Sequence, residues 1–160
     1  MNRYAACQLL ATAALLSACA TTPAPAPLAD TLARDPQFST FTRLAAQAGL
    51  AEDLRAAGPM TVFVPNDEAF KAVPAKTMEA LAADRTQLKA VLSHHIINGR
   101  LLATDVKAGA TKSRQGSNLA LAKAGDFVTV DEALVLKADI LATNGVAHAV
   151  DRVLLPPAKK

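Results

Sequence analysis

Thr61-Val62-Phe63-Val64-Pro65-Asn66-Asp67-Glu68-Ala69-Phe70 changes backbone preference within a single short stretch. Residues 60–64 are apolar and largely β-branched, which suits a buried strand. Pro65 ends that run, and Asn66 offers a side chain able to cap a helix. Asp67 and Glu68 then place negative charge in the first turn, where the helix dipole favours it. The stretch predicts a strand running directly into a helix.

Upstream, Asp35-Pro36 supplies an acidic cap with Pro at the first helical position. Phe38, Phe41, Leu44, Ala45 and Ala48 follow at spacings that share one face, and Gly49 is the expected stop. A short helix fits residues 50–57, closed by Gly58-Pro59. Two more fit 75–82 and 85–92, the second with Asp84 and Gln87 in capping-box positions. Beyond Leu119 the pattern becomes short apolar or alternating runs at 119–121, 127–130, 134–136 and 146–155. Turn residues separate them at Gly116, Gly125-Asp126 and Asn144-Gly145. Helices ahead of strands imply an α+β fold rather than alternating βαβ units.

The chain has 160 residues, which suits one domain once an export segment is set aside. Its 51% apolar residues are rich in Ala and Leu, so the core is expected to be aliphatic, with the phenylalanines buried in apolar patterns. There is no Trp, and Tyr4 is the one tyrosine. That composition disfavours carbohydrate recognition by aromatic stacking.

Arg3, the uncharged run 5–16 and the small residues Ser17 and Ala18 read as an export signal, too short to span a bilayer. Leu16-Ser17-Ala18-Cys19 resembles the bacterial lipobox, in which cleavage precedes the Cys and its thiol is acylated. The expected division is a signal at 1–18, a lipidated Cys19 and Pro/Ala tether at 19–27, a domain at 28–157 and a tail at 158–160. Cys7 falls within the signal, so no disulfide is expected in the processed chain. Ala20 stands where Asp commonly marks inner-membrane retention of such lipoproteins, so the resemblance implies the outer membrane, with the domain facing the periplasm or the cell surface.

Three segments together resemble the fasciclin domain family in order and spacing. They are the opening stretch, Leu92-Ser93-His94-His95-Ile96-Ile97-Asn98-Gly99, and Asn144-Gly145-Val146-Ala147-His148-Ala149-Val150-Asp151-Arg152-Val153-Leu154-Leu155-Pro156. The resemblance runs from about Leu28 to Pro156. It implies a wedge of β-sheet with helices beside it, and Asn66, Asp67, His95, Gly99, Asn144, Gly145, His148 and Asp151 as structural motif residues. Asn66 replaces a commoner Thr, His94 a typical Tyr, and Asn98 a frequent Pro. Asp139-Ile140 matches a pair proposed as a receptor contact in animal matrix relatives, and is carried as an adhesion candidate.

Catalytic and cofactor chemistry finds little support. His94, His95 and His148 lack ligand spacing and neighbouring Cys or acidic clusters, so His95 and His148 are read as satisfying buried backbone groups rather than a metal. Ser93 lacks a nucleophile elbow. Arg100, Lys107, Lys112, Arg114 and Lys123 form a basic stretch broken by Asp105, too sparse and too poor in aromatics for nucleic acid. It reads as a solvated face, with anionic envelope polymers or lipid head groups as the functional alternative.

These features imply a non-catalytic adhesion or interaction module, expected to be a monomer, held at the membrane by its lipid. Its partner would be a protein or envelope polymer. The alternative is a carrier of a hydrophobic ligand such as a lipid or carotenoid.

Overall fold

The computed structural model describes residues 25–156. Cys19, the expected export signal at 1–18 and the expected tail at 158–160 lie outside the described residues. The opening strand forms as β1 (Met60–Pro65), buried at every position. It pairs antiparallel with β2 (Ile96–Asn98) and parallel with β7 (Gly145–Val150). The sheet continues through β6 (Ala133–Ala142), β5 (Phe127–Val130), β4 (Asn118–Ala124) and β3 (Gly109–Lys112), giving the order β2-β1-β7-β6-β5-β4-β3. A bridge between Ile97 and Ser113 brings the two ends of this order together, so the sheet curls back on itself.

Successive residues of a strand face opposite sides, and β1 serves two cores by that rule. Val62 and Val64 join Ala147, Ala149, Phe38, Phe41, Leu88 and Leu92 beneath the helices. Phe63 joins Ile97, Leu119, Leu121, Val128, Val130 and Val150 in a second cluster on the other side. The fold is α+β, as the segregated pattern implies.

The helices are α1 (Leu28–Ala33), α2 (Ser39–Gln47), α3 (Ala51–Arg55), α4 (Asp67–Lys71), α5 (Ala75–Ala83) and α6 (Arg85–His94). The helix expected to start at Pro36 divides: a 3-10 turn spans Pro36–Phe38, and α2 begins at Ser39. Asp84 caps α6 by accepting from the Thr86 and Gln87 amides. The last strand ends at Val150 rather than 155, because Asp151 turns back to exchange two hydrogen bonds with Leu134. Phe127 corrects the reading of buried phenylalanines, since it is 65% exposed where the β4–β5 hairpin turns. Ala26 is also buried, and its carbonyl accepts from the Thr143 amide, so contact with the domain begins before Leu28.

Candidate functional site

The motif residues gather at the joints between helices, sheet and crossing loops, and each has a main-chain partner or a backbone constraint. Asn66 caps α4 through the Ala69 amide at 2.8 Å. Asp67 reaches out of α4 to accept from the Thr40 amide at 3.0 Å and the Ser39 hydroxyl at 2.7 Å. It therefore caps α2, whose own N-cap residue, Phe38, has no side-chain oxygen. Burial alone would push the Asp67 carboxyl up, but these hydrogen bonds outweigh it and hold the group below its ordinary value.

The second joint centres on Asn144 in the β6–β7 turn. Its Oδ1 accepts from the Leu28 amide at 2.8 Å, and its Nδ2 donates to the carbonyls of Leu54 and Ala56. One side chain thus closes the first turn of α1 and the last turn of α3. Gly145, the next residue, packs so closely that a Cβ there would lie 2.1 Å from the Met60 carbonyl oxygen. Gly99 adopts φ +102, a left-handed conformation, and its carbonyl accepts from the buried Thr61 hydroxyl.

His95 sits where α6 delivers the chain to β2, and it is fully buried. Nδ1 donates to the Val91 carbonyl at 2.8 Å and Nε2 accepts from the Leu154 amide at 3.0 Å. A carbonyl can only accept and an amide can only donate, so these partners fix the neutral Nδ1–H tautomer. Burial pushes the His95 pKa down to about 4, against the opposing pull of the Val91 carbonyl.

His148 does the same work on the other side of the sheet. Nε2 donates to the Leu101 carbonyl at 2.8 Å, Nδ1 accepts from the Asp139 amide at 3.2 Å, and the ring stacks on Phe63. Burial lowers its pKa, opposed by the Leu101 carbonyl and the Asp139 charge.

His94 is also buried and points elsewhere, with Nδ1 3.3 Å from Ser113 Oγ and Nε2 3.7 Å from Asp131 Oδ2. Burial depresses its pKa, while Asp131 pulls the other way. These are the residue types of a hydrolytic triad, but Ser113 is 4% exposed and its hydroxyl also bonds the Ser117 carbonyl. A nucleophile must meet its substrate, and this one is closed off. Among the described residues, no cluster of His, Cys, Asp and Glu is placed to hold a metal ion.

The adhesion candidates lie in β6, where the pairing with β7 is irregular. Asp139 adopts φ +55 and is exposed, with its carboxylate accepting from the Ala103 amide. Ile140 is half-buried against the helix-side core. Sequence reasoning missed Thr61, which bonds both Gly99 and Leu101, and missed the reach of Asp67 to α2. A Thr at an alternating strand position carries the first signal; nothing local carries the second.

The fasciclin domain family model matches residues 36–156. The chain belongs to the fasciclin domain family. It is 39% identical over 122 residues to protein sll1483 of Synechocystis, covering 75% of this chain and 68% of that protein. It is 36% identical over 137 residues to human periostin, covering 84% of this chain but 16% of periostin. The immunogenic protein MPB70 of Mycobacterium bovis is 28% identical over 137 residues, with 82% of this chain and 70% of that protein covered. A solved FAS1 domain pair from the insect cell adhesion molecule Fasciclin I superimposes with a TM-score of 0.65 at 17% identity. That match covers 82% of this chain and 51% of the pair, and it shows the fold. This fasciclin domain therefore spans a small part of periostin and about half of the insect domain pair.

Proposed function

We propose that this fasciclin domain is a non-catalytic adhesion or interaction module, exported and displayed at the cell envelope from an acylated Cys19. The observation that carries the reading is the employment of the motif side chains. Asn66, Asp67, Asn144, Asp151, His95 and His148 each hydrogen-bond the domain's own backbone, and Asp67 also takes the Ser39 hydroxyl. What remains for recognition is surface: aliphatic and aromatic side chains such as Phe127, Leu136, Leu141 and Leu155, and scattered charge. The relatives include the periostin match and a fold shared with an insect cell adhesion molecule, which agrees with a role in contact rather than turnover.

The anchor reading rests on the lipobox-like Leu16-Ser17-Ala18-Cys19 and the Pro/Ala segment after it. Several acyl chains hold a protein firmly where one chain is marginal. Among the described residues, no helix is long and apolar enough to cross a membrane. Cys19→Ser is therefore expected to abolish fatty-acid labelling and move the protein from the membrane to the soluble fraction. Unchanged membrane retention would contradict the anchor. Extraction of the purified protein with organic solvent tests the module itself, since stoichiometric pigment or lipid beyond the anchor would replace it with a carrier.

A further inference from the structure

β1 and β7 run parallel from one pole of the domain to the other. The first pole carries Met60, Gly145 and the β6–β7 turn, and the chain enters there, because Ala26 bonds Thr143 and Leu28 bonds Asn144. Six peptide steps separate Cys19 from Pro25, a span of at most about 22 Å. An acyl anchor on Cys19 would keep this pole near the bilayer whatever path those residues take.

The two poles differ in charge. The entry pole has a cleft lined by Arg55, Arg100, Asn144 and the uncharged residues 57–59. Arg55 is held by Asp30 and Glu52, whereas Arg100 is exposed and has no partner among the described residues. At the far pole, Asp67 and Glu68 follow the end of β1, Asp151 follows the end of β7, and Asp131 and Glu132 precede β6. Lys71 and Arg152 offset only part of that negative charge. Asp30 and Glu52 match the two arginines in number, so the entry pole is near neutral with Arg100 left to pair, and an anionic surface would repel the far pole and let the entry pole approach.

Resting on the Cys19 anchor, we propose that the entry pole docks on the anionic head groups of the bilayer holding the lipid. Arg100 pairs with lipid phosphate, residues 57–59 lie at the interface, and the acidic pole faces away. Docking fixes which surface is offered to a partner: the far pole, with α4 and the β5–β6 turn, stands outermost.

The chain lacks Trp, so a single introduced indole reports position without background. The full acylated protein is placed in phosphatidylethanolamine and phosphatidylglycerol vesicles containing a dansyl-headgroup lipid. Ala57→Trp marks the entry pole and Glu68→Trp the far pole, at opposite ends of β1, whose length is about 17 Å. Energy transfer to dansyl is expected to be greater from Ala57→Trp than from Glu68→Trp. Adding Arg100→Glu or Arg100→Gln, or replacing the lipids with phosphatidylcholine, should lower it while the protein still floats with the vesicles. Equal transfer from both positions, with Cys19 acylated by mass, would overturn docking and leave the anchor standing. An unacylated Cys19 would overturn the anchor and the docking with it.

Discussion

The helix-covered part of the sheet and the β3–β4–β5 lobe are held together differently. In the lobe, β3, β4 and β5 are successive antiparallel neighbours, so each strand pairs with the next one along the chain. Around β1 and β7 the partners are far apart in sequence: Met60 pairs with Gly145, and Phe63 with His148. Loop closure makes such distant pairing slow to form and dependent on specific contacts. That is where the family motifs lie, and there single polar side chains join elements that local pairing cannot. The lobe relies on turns and alternation, with Asp131 tied to Ala120 of the strand next to β5.

The contrast is sharpest at Gly145. Gly145→Ala forces a Cβ against the Met60 carbonyl, a backbone atom that cannot move without parting β1 from β7. A loss of roughly 3 kcal/mol or more is expected, near the upper end for overpacking, and denaturant unfolding measures it. A variant as stable as the parent would show that the β1–β7 contact is loose.

Acid should attack the same region next. The unfolded imidazole of His95 titrates near 6.5 and the folded one near 4. Below pH 6.5 the unfolded state binds the proton and the folded state does not, so stability declines as pH falls toward 4. The full His95 contribution is on the order of 3 kcal/mol, present above pH 6.5. His94 and His148 are shifted in the same direction and add to the slope. Melting followed from pH 7 to 4 should show the decline, and His95→Gln should show a shallower one from a lower start.

Asn144→Ala leaves the buried Leu28 amide and two helix-end carbonyls without their partner. Three modest hydrogen bonds, partly replaced by water, predict a loss of about 2 kcal/mol in thermal or chemical unfolding. In the lobe, Lys123→Ala removes an exposed contact to the Ala103 carbonyl and should change stability by less than about 0.5 kcal/mol. A larger effect there would erase the distinction between the two regions.

Sequence disclosed the local part of this architecture. The strand-to-helix change at Pro65-Asn66, the cap at Asp84 and the turns at Gly125 and Asn144 all act within a few residues. Hidden features depend on distant partners. α1 has Pro27 before it and no side-chain cap of its own; it forms because Leu28 and Leu32 are buried and Asn144 satisfies its first amide from 116 residues away. β3 is Gly-Ala-Thr-Lys, with no buried residue to mark it, and exists through its pairing with β4. Phe127 looked like core because it opens an apolar run, yet it pairs with Ala124 beside the turn and points to solvent. The same limit applied to the site: Asp67 reads locally as a charge on α4, and its bond to α2 is a tertiary fact.

The motif histidines serve as neutral joints of the scaffold, each spending both ring nitrogens on the domain's own main chain. Nitrogen-15 NMR of the three imidazole rings between pH 8 and pH 4 tests this role most directly, since the two ring nitrogens report tautomer and charge separately. His95 should remain in the Nδ1–H form well below pH 6.5, and His148 should keep the Nε2–H form with its titration shifted below the ordinary imidazole value, with neither responding to zinc or to a chelator. Titration of His95 near pH 6.5, or a metal-dependent shift of either ring, would contradict the account.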